Sequence, residues 1–147
     1  MGAKEARHRK ALVALRAFGL AYPEAHTKSP WPGHLDLAVR DKTFAYLSPD
    51  GEPLSISCKL PRSAAVALAL PFTEPTGYGL GKSGWVTASF ELDDAPPVEL
   101  LEQWIDESYR AQAPKRLVAQ LDAPAVPVSK RARDAGGAKK ARRGTRT

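Results

Sequence analysis

At 147 residues, 43% of them hydrophobic and 26% charged, the chain has the length and composition of one globular domain with an appendage, too short for a second independent core. No stretch approaches membrane-spanning length and the N-terminus lacks a secretory signal pattern, while the lone Cys58 excludes an intrachain disulfide and a thiolate metal cluster; these imply a cytoplasmic protein with no membrane partner. The net charge of +6 sits at one end: residues 129–147 carry Lys130, Arg131, Arg133, Lys139, Lys140, Arg142, Arg143 and Arg146 against the single acid Asp134, so the body before them is nearly neutral.

Ala11, Leu15, Phe18 and Tyr22 fall at helical spacing among Lys4, Arg7, Arg9 and Lys10, which predicts an amphipathic first helix ending by Pro23. The run HLDLAVRDKTFAYLSPDGEPLSISCKL alternates in three segments, divided by a two-residue turn at Asp41-Lys42 and a longer one at Pro49-Asp50-Gly51. Three antiparallel strands follow. Across the first turn, Leu35, Leu37 and Val39 are expected to share a face with Phe44 and Tyr46, leaving Arg40, Thr43 and Ala45 on the other.

Residues 62–70, opened by Pro61 and closed by Pro71, read as a short helix. Residues 78–80 then read as a short strand, 81–84 as a turn with Lys82 at its tip, and 85–92 as the last strand, with Val86, Ala88, Phe90 and Leu92 inward and Trp85 outward. Asp93 and Asp94 can cap a final helix whose face is Val98, Leu101, Ile105 and Tyr109, divided by Pro114 before Leu117, Val118 and Leu121. Trp31 is expected to plug a core edge, and Trp104 to be partly buried.

The order is α-β(3)-α-β(2)-α, an α+β fold with an antiparallel sheet and helices packed on one face. Residues 1–123 form the domain. Residues 124–147 read as a disordered basic tail, because 129–147 hold no large apolar side chain to offset the entropy of ordering. The sheet's other face is expected to show Arg40, Thr43, Ser55, Ser57, Lys59, Thr87, Ser89 and Trp85, a hydroxyl-rich and mildly basic surface.

Gly81-Lys82-Ser83 has the ending of a phosphate-binding loop, but the first glycine that such a loop needs stands at Thr76, and the β-branched alternation WVTASFEL follows instead of a helix. Nucleotide hydrolysis is therefore set aside in favour of a hairpin. His8, His26 and His34 have no metal-ligand spacing. Asp106 and Glu107 are adjacent on a helix and do not face each other, so a solvated or capping role is expected of them. No nucleophile has a candidate base, which predicts no catalytic residue, no metal, no cofactor and no small-molecule substrate.

Several strings together resemble the MmcQ/YjbR family of small bacterial proteins: Pro23-Glu24, the segment KTFAYLS from Lys42 to Ser48, Gly77-Tyr78 with Lys82 and Trp85-Val86-Thr87, and WIDESY from Trp104 to Tyr109. The resemblance runs from about Ala11 to Leu121. It implies a fold similar to type III secretion chaperones and grouped with CyaY-like proteins, and DNA binding through a double wing formed here by the hairpins around Asp41-Lys42 and Lys82. Ser83-Gly84 and Val86 depart from the family pattern, which carries a bulkier basic or aromatic residue and an Asn near the second wing.

The leading expectation is a DNA-binding protein of low sequence specificity, with most of the affinity from phosphate contacts of the tail cations and weak wing contacts from Arg40, Lys42, Lys59, Lys82 and Trp85. For Trp85 the favoured reading is a ring packed against a helix end or the neighbouring strand, and its rival is a stacking platform or wedge beside Lys82. The rival function is a protein-interaction adaptor that receives a partner segment on the sheet face without nucleic acid.

Overall fold

The structure, a computed structural model, describes residues 2–122 other than 31 and 32. The expectations for Trp31 and for the tail lie outside the described residues. The chain divides after Ala113 into one compact unit and a second that begins at Pro114.

In the first unit, helix α1 (Ala3–Leu20) turns His8, Ala11, Leu12, Leu15 and Gly19 inward, the three-and-four spacing of one buried face. Gly19 lets the helix approach the sheet closely, since a Cβ there would come within 2.4 Å of Leu37 Cδ1. Strands β1 (Ala25–Lys28), β2 (Asp36–Val39), β3 (Lys42–Leu47), β4 (Ser55–Lys59), β5 (Thr73–Pro75) and β6 (Trp85–Ser89) form one antiparallel sheet in the order β1-β2-β3-β4-β6-β5. Between β4 and β5 lies the short helix α2 (Ala64–Ala67), and after β6 comes α3 (Val98–Gln112). Helices α1 and α3 pack on each other and on the sheet, with Leu101, Trp104, Ile105 and Tyr109 of α3 buried. An α+β fold with an antiparallel sheet is thus what the alternation and helical spacing predicted. In the second unit, helix α4 (Lys115–Asp122) starts after Ala113 turns extended at ψ 152°, as a residue before proline is driven to do.

Several local expectations need correction. The sheet has an additional edge strand, β1, and the first hairpin turn is Arg40-Asp41 rather than Asp41-Lys42, because Val39 pairs with Lys42. The ladder slips between Leu37 and Ala38, pairing Leu37 with Ala45 and Ala38 with Thr43. Phe44 is the extra residue of this bulge, and both Phe44 and Ala45 are buried while Tyr46 turns to the face of Ser57. Leu35, expected inside, is exposed. The second helix is confined to Ala64–Ala67, and Trp104 is buried rather than half-buried. Asp94 does not cap α3; its carboxylate closes a turn on the Glu91 N–H.

Two buried polar groups tie the elements together, His8 from α1 and Asp36 between β2 and β3. His8 accepts the Leu54 N–H on Nδ1 at 2.9 Å and donates from Nε2 to the Asp94 carbonyl at 3.0 Å, so both ring nitrogens are satisfied. Asp36, fully buried, accepts the Leu47 N–H on Oδ1 at 2.8 Å, while its Oδ2 has no hydrogen-bond partner. Burial raises the Asp36 carboxyl above its usual value, against the opposing pulls of the Leu47 N–H, His34 and Arg16.

A raised carboxyl favours folding while protonated, and that contribution is lost as pH climbs through the folded value. Asp36→Asn keeps an acceptor for Leu47 and removes the buried charge. It is expected to melt several degrees higher than the parent at pH 7, with the difference shrinking as pH falls into the ordinary carboxylate range. Melting curves across that interval check both sign and window.

Candidate nucleic-acid interface

The antiparallel register puts the β2–β3 turn, the end of β4 and the start of β6 at one end of the sheet. Arg40 and Lys42 stand at the first turn, Lys59 pairs with Trp85, and Lys82 precedes β6 on a 3-10 turn over Leu80–Ser83. The expected hairpin of 78–80 with 85–92 is replaced by β5 pairing Thr73–Pro75 with β6, so that residues 76–84 form the loop between them. The two segments expected to form wings thus lie at the same end, though the second is a loop with a helical turn rather than a tight hairpin.

The β2–β3 turn is braced from the side of β1. Arg40 takes a left-handed conformation at φ 57°, and its guanidinium meets the Glu24 carboxylate through Nε at 2.6 Å and through a second nitrogen at 3.3 Å. The hydrogen bond and the charge of Glu24 hold the guanidinium above its usual value. His26 Nε2 donates to the Arg40 carbonyl at 2.8 Å, and Lys28 Nζ to the Asp41 carbonyl at 3.1 Å. Arg40, expected among the phosphate contacts, has its charge matched by Glu24. Lys42 and Lys82 are exposed and Lys59 is half-buried, and no resolved salt bridge joins these three to an acid among the described residues.

Trp85 follows the packed reading rather than the stacking one. The register sets it on the face away from the helices, as expected, but it is 4% exposed, with its ring centroid 5.3 Å from that of Tyr46. A ring with both faces covered offers no base a surface to stack on. Several hydroxyls of this face bond one another: Ser57 to Thr87 at 2.7 Å, Thr87 to Thr76 at 2.9 Å, and Ser55 to Ser89 at 3.4 Å.

Sequence reasoning missed Tyr78, which it placed in a strand. Tyr78 adopts φ 60° and is fully exposed in the 76–84 loop, four residues before Lys82. The signal was available, because Gly77, Gly79 and Gly81 alternate with Tyr78 and Leu80, and alternating glycine does not sustain a strand.

Beneath the interface, Glu107 accepts the N–H groups of Arg62 and Ser63 at 2.8 and 3.1 Å and the Ser63 hydroxyl at 2.6 Å, which anchors the start of α2. Burial works to raise this carboxyl, but the three donors outweigh it and hold it below the usual value. Asp106 instead accepts from Tyr22 and Arg110, so the two adjacent acids act separately. The tail candidates Lys130, Arg131, Arg133, Lys139, Lys140, Arg142, Arg143 and Arg146 lie outside the described residues. No helix among the described residues is long and apolar enough to cross a membrane.

Among solved structures, the chain is similar to the Deinococcus radiodurans protein DR2400, of family-model domain DUF419, at 26% identity and a TM-score of 0.59, over 77% of this chain and 88% of that one. A Pseudomonas syringae protein shares the fold at 18% identity and a TM-score of 0.50, over 65% of this chain and 93% of that one. No curated protein matches the chain. The family model YjbR matches residues 20–111, from the end of α1 through nearly all of α3. The chain belongs to the YjbR family.

Proposed function

We propose that this protein is a cytoplasmic nucleic-acid-binding module, not a catalyst, that attaches to DNA with low sequence specificity through phosphate contacts. The observation that carries the reading is the convergence of Lys42, Lys59 and Lys82 on one end of the sheet, in a chain whose remaining positive excess lies in residues 129–147. Cations arrayed without base-reading side chains between them meet backbone phosphates irrespective of sequence. The adaptor reading is weaker, because the hydroxyls of the sheet face are largely occupied with one another.

The test is a salt titration of the full chain on a labelled duplex. The logarithm of the association constant is expected to fall linearly with the logarithm of salt concentration. Lys82→Ala, at an exposed position, is expected to weaken binding severalfold and to reduce that slope by about 1. Absence of any salt-sensitive association with duplex or single strand would refute the proposal.

A further inference from the structure

We propose that the 76–84 loop is a stacking site for an unpaired nucleobase, with Tyr78 as the platform and Lys82 as the contact to the adjoining phosphate. The inference rests on the nucleic-acid reading above and specifies which form of nucleic acid the second wing takes.

Tyr78 stands apart from the other aromatic side chains of this region. Tyr22 and Phe44 both pack on Tyr109, and Tyr46 packs on Trp85, whereas Tyr78 is fully exposed. It also occupies a left-handed backbone conformation that disfavours any side chain with a Cβ, and no burial of the ring offsets this. Strain of this kind, maintained without a packing gain, is the pattern found where a side chain is held out for a ligand.

The neighbouring glycines add no side chain beside the ring. A Cβ on Gly77 or Gly79 would meet nothing within 4 Å, so crowding does not require glycine at either position. At Gly77 the backbone is not left-handed either, so neither crowding nor backbone conformation requires glycine there.

The base of the loop is fixed. Thr76 donates its N–H to the Trp85 carbonyl at 3.1 Å, Gly81 donates to the Thr76 carbonyl at 3.0 Å, and Leu80 donates to the Gly77 carbonyl at 3.2 Å. The Thr76 hydroxyl bonds Thr87, and a Cβ on Gly81 would come within 2.8 Å of Pro75. The ring is therefore presented from a braced frame, which lowers the ordering cost of binding.

A planar ring recognises the face of a base, and in a duplex those faces are covered by the neighbouring pairs. An unpaired base leaves its face available, and such stacking tolerates any sequence. Lys82 lies on the 3-10 turn immediately after the platform, where the backbone flanking a stacked base would pass.

The experiment compares a labelled oligodeoxythymidine with a duplex of equal length, at one salt concentration, against the full chain and its Tyr78 variants. Tyr78→Ala is expected to lose about tenfold in affinity for the single strand and less than about twofold for the duplex. Tyr78→Trp retains single-strand binding. Tyr78→Asn, whose side chain tolerates the left-handed backbone, separates loss of the ring from loss of loop shape and is expected to behave as Tyr78→Ala. Binding by the parent that is unchanged in Tyr78→Ala, or that falls equally on both probes, would overturn the stacking site and leave the general reading intact. A parent that binds neither probe overturns both.

Discussion

Removal of residues 129–147 is expected to lower affinity for duplex DNA at about 50 mM salt by roughly a hundredfold or more. The salt slope should become shallower by about 4 to 7, leaving about −2 to −3. The basis is a difference in charge available to phosphate. The deleted segment holds eight cations against Asp134, whereas the described interface offers Lys42, Lys59 and Lys82, with Arg40 already matched by Glu24. Each phosphate neutralised contributes a slope near −0.9 through counterion release, so three contacts cannot reproduce what eight provide. Alanine and glycine separate the deleted cations and no aromatic residue accompanies them, so the lost affinity should be equal for unrelated duplex sequences. A scrambled 129–147 segment of the same composition should restore it. Anisotropy titrations over a salt series give slope and affinity together, and a truncated chain that keeps the full-length slope would transfer the electrostatic role to the folded domain.

The parts of this fold that were legible in the sequence are those where one face meets the core and the other meets water. LSISCKL and WVTASF record that division with a period of two, and their register, with Ser57 opposite Thr87 and Cys58 opposite Val86, follows from it. Strand β1 left no such trace. The segment AHTK has two exposed residues out of four and is a strand because β2 lies beside it. Missing β1 also hid the Glu24–Arg40 pair, which joins residues that only this pairing brings together. The bulge at Phe44 was equally silent, since KTFAYL is compatible with uninterrupted alternation, and its consequence is that Ala45 faces the core while Tyr46 is released to pack on Trp85. Thus the side of the sheet on which Trp85 lies and its packing were readable, and the ring that covers it was not. Burial depends on a ring that a bulge two residues away had turned towards it.

That bulge also explains why Ser108→Ala is expected to be costly. The β3–β4 ladder pairs Tyr46 with Ser57 and Leu47 with Ile56, and beyond this point the bulge draws Phe44 out of register. Two backbone groups flank the gap, the Phe44 carbonyl and the Lys59 N–H, and the Ser108 hydroxyl of α3 serves both. It accepts from Lys59 at 2.8 Å and donates to Phe44 at 2.5 Å, and Ser108 is fully buried. Alanine removes the bridge without removing either backbone group, and an unsatisfied buried donor or acceptor costs about 1–3 kcal/mol. A loss of about 2–4 kcal/mol follows, which in a domain of this size lowers the melting temperature by on the order of 10–20 °C. Ser108→Cys, with a weak donor and a weak acceptor on a similar frame, should fall between the two. Urea denaturation should show a lower midpoint with an unchanged slope, since the surface exposed on unfolding is the same. A loss below about 0.5 kcal/mol would mean that the strands close the gap unaided, and the hydroxyl would then not be what holds β3 to β4 beneath Lys42 and Lys59.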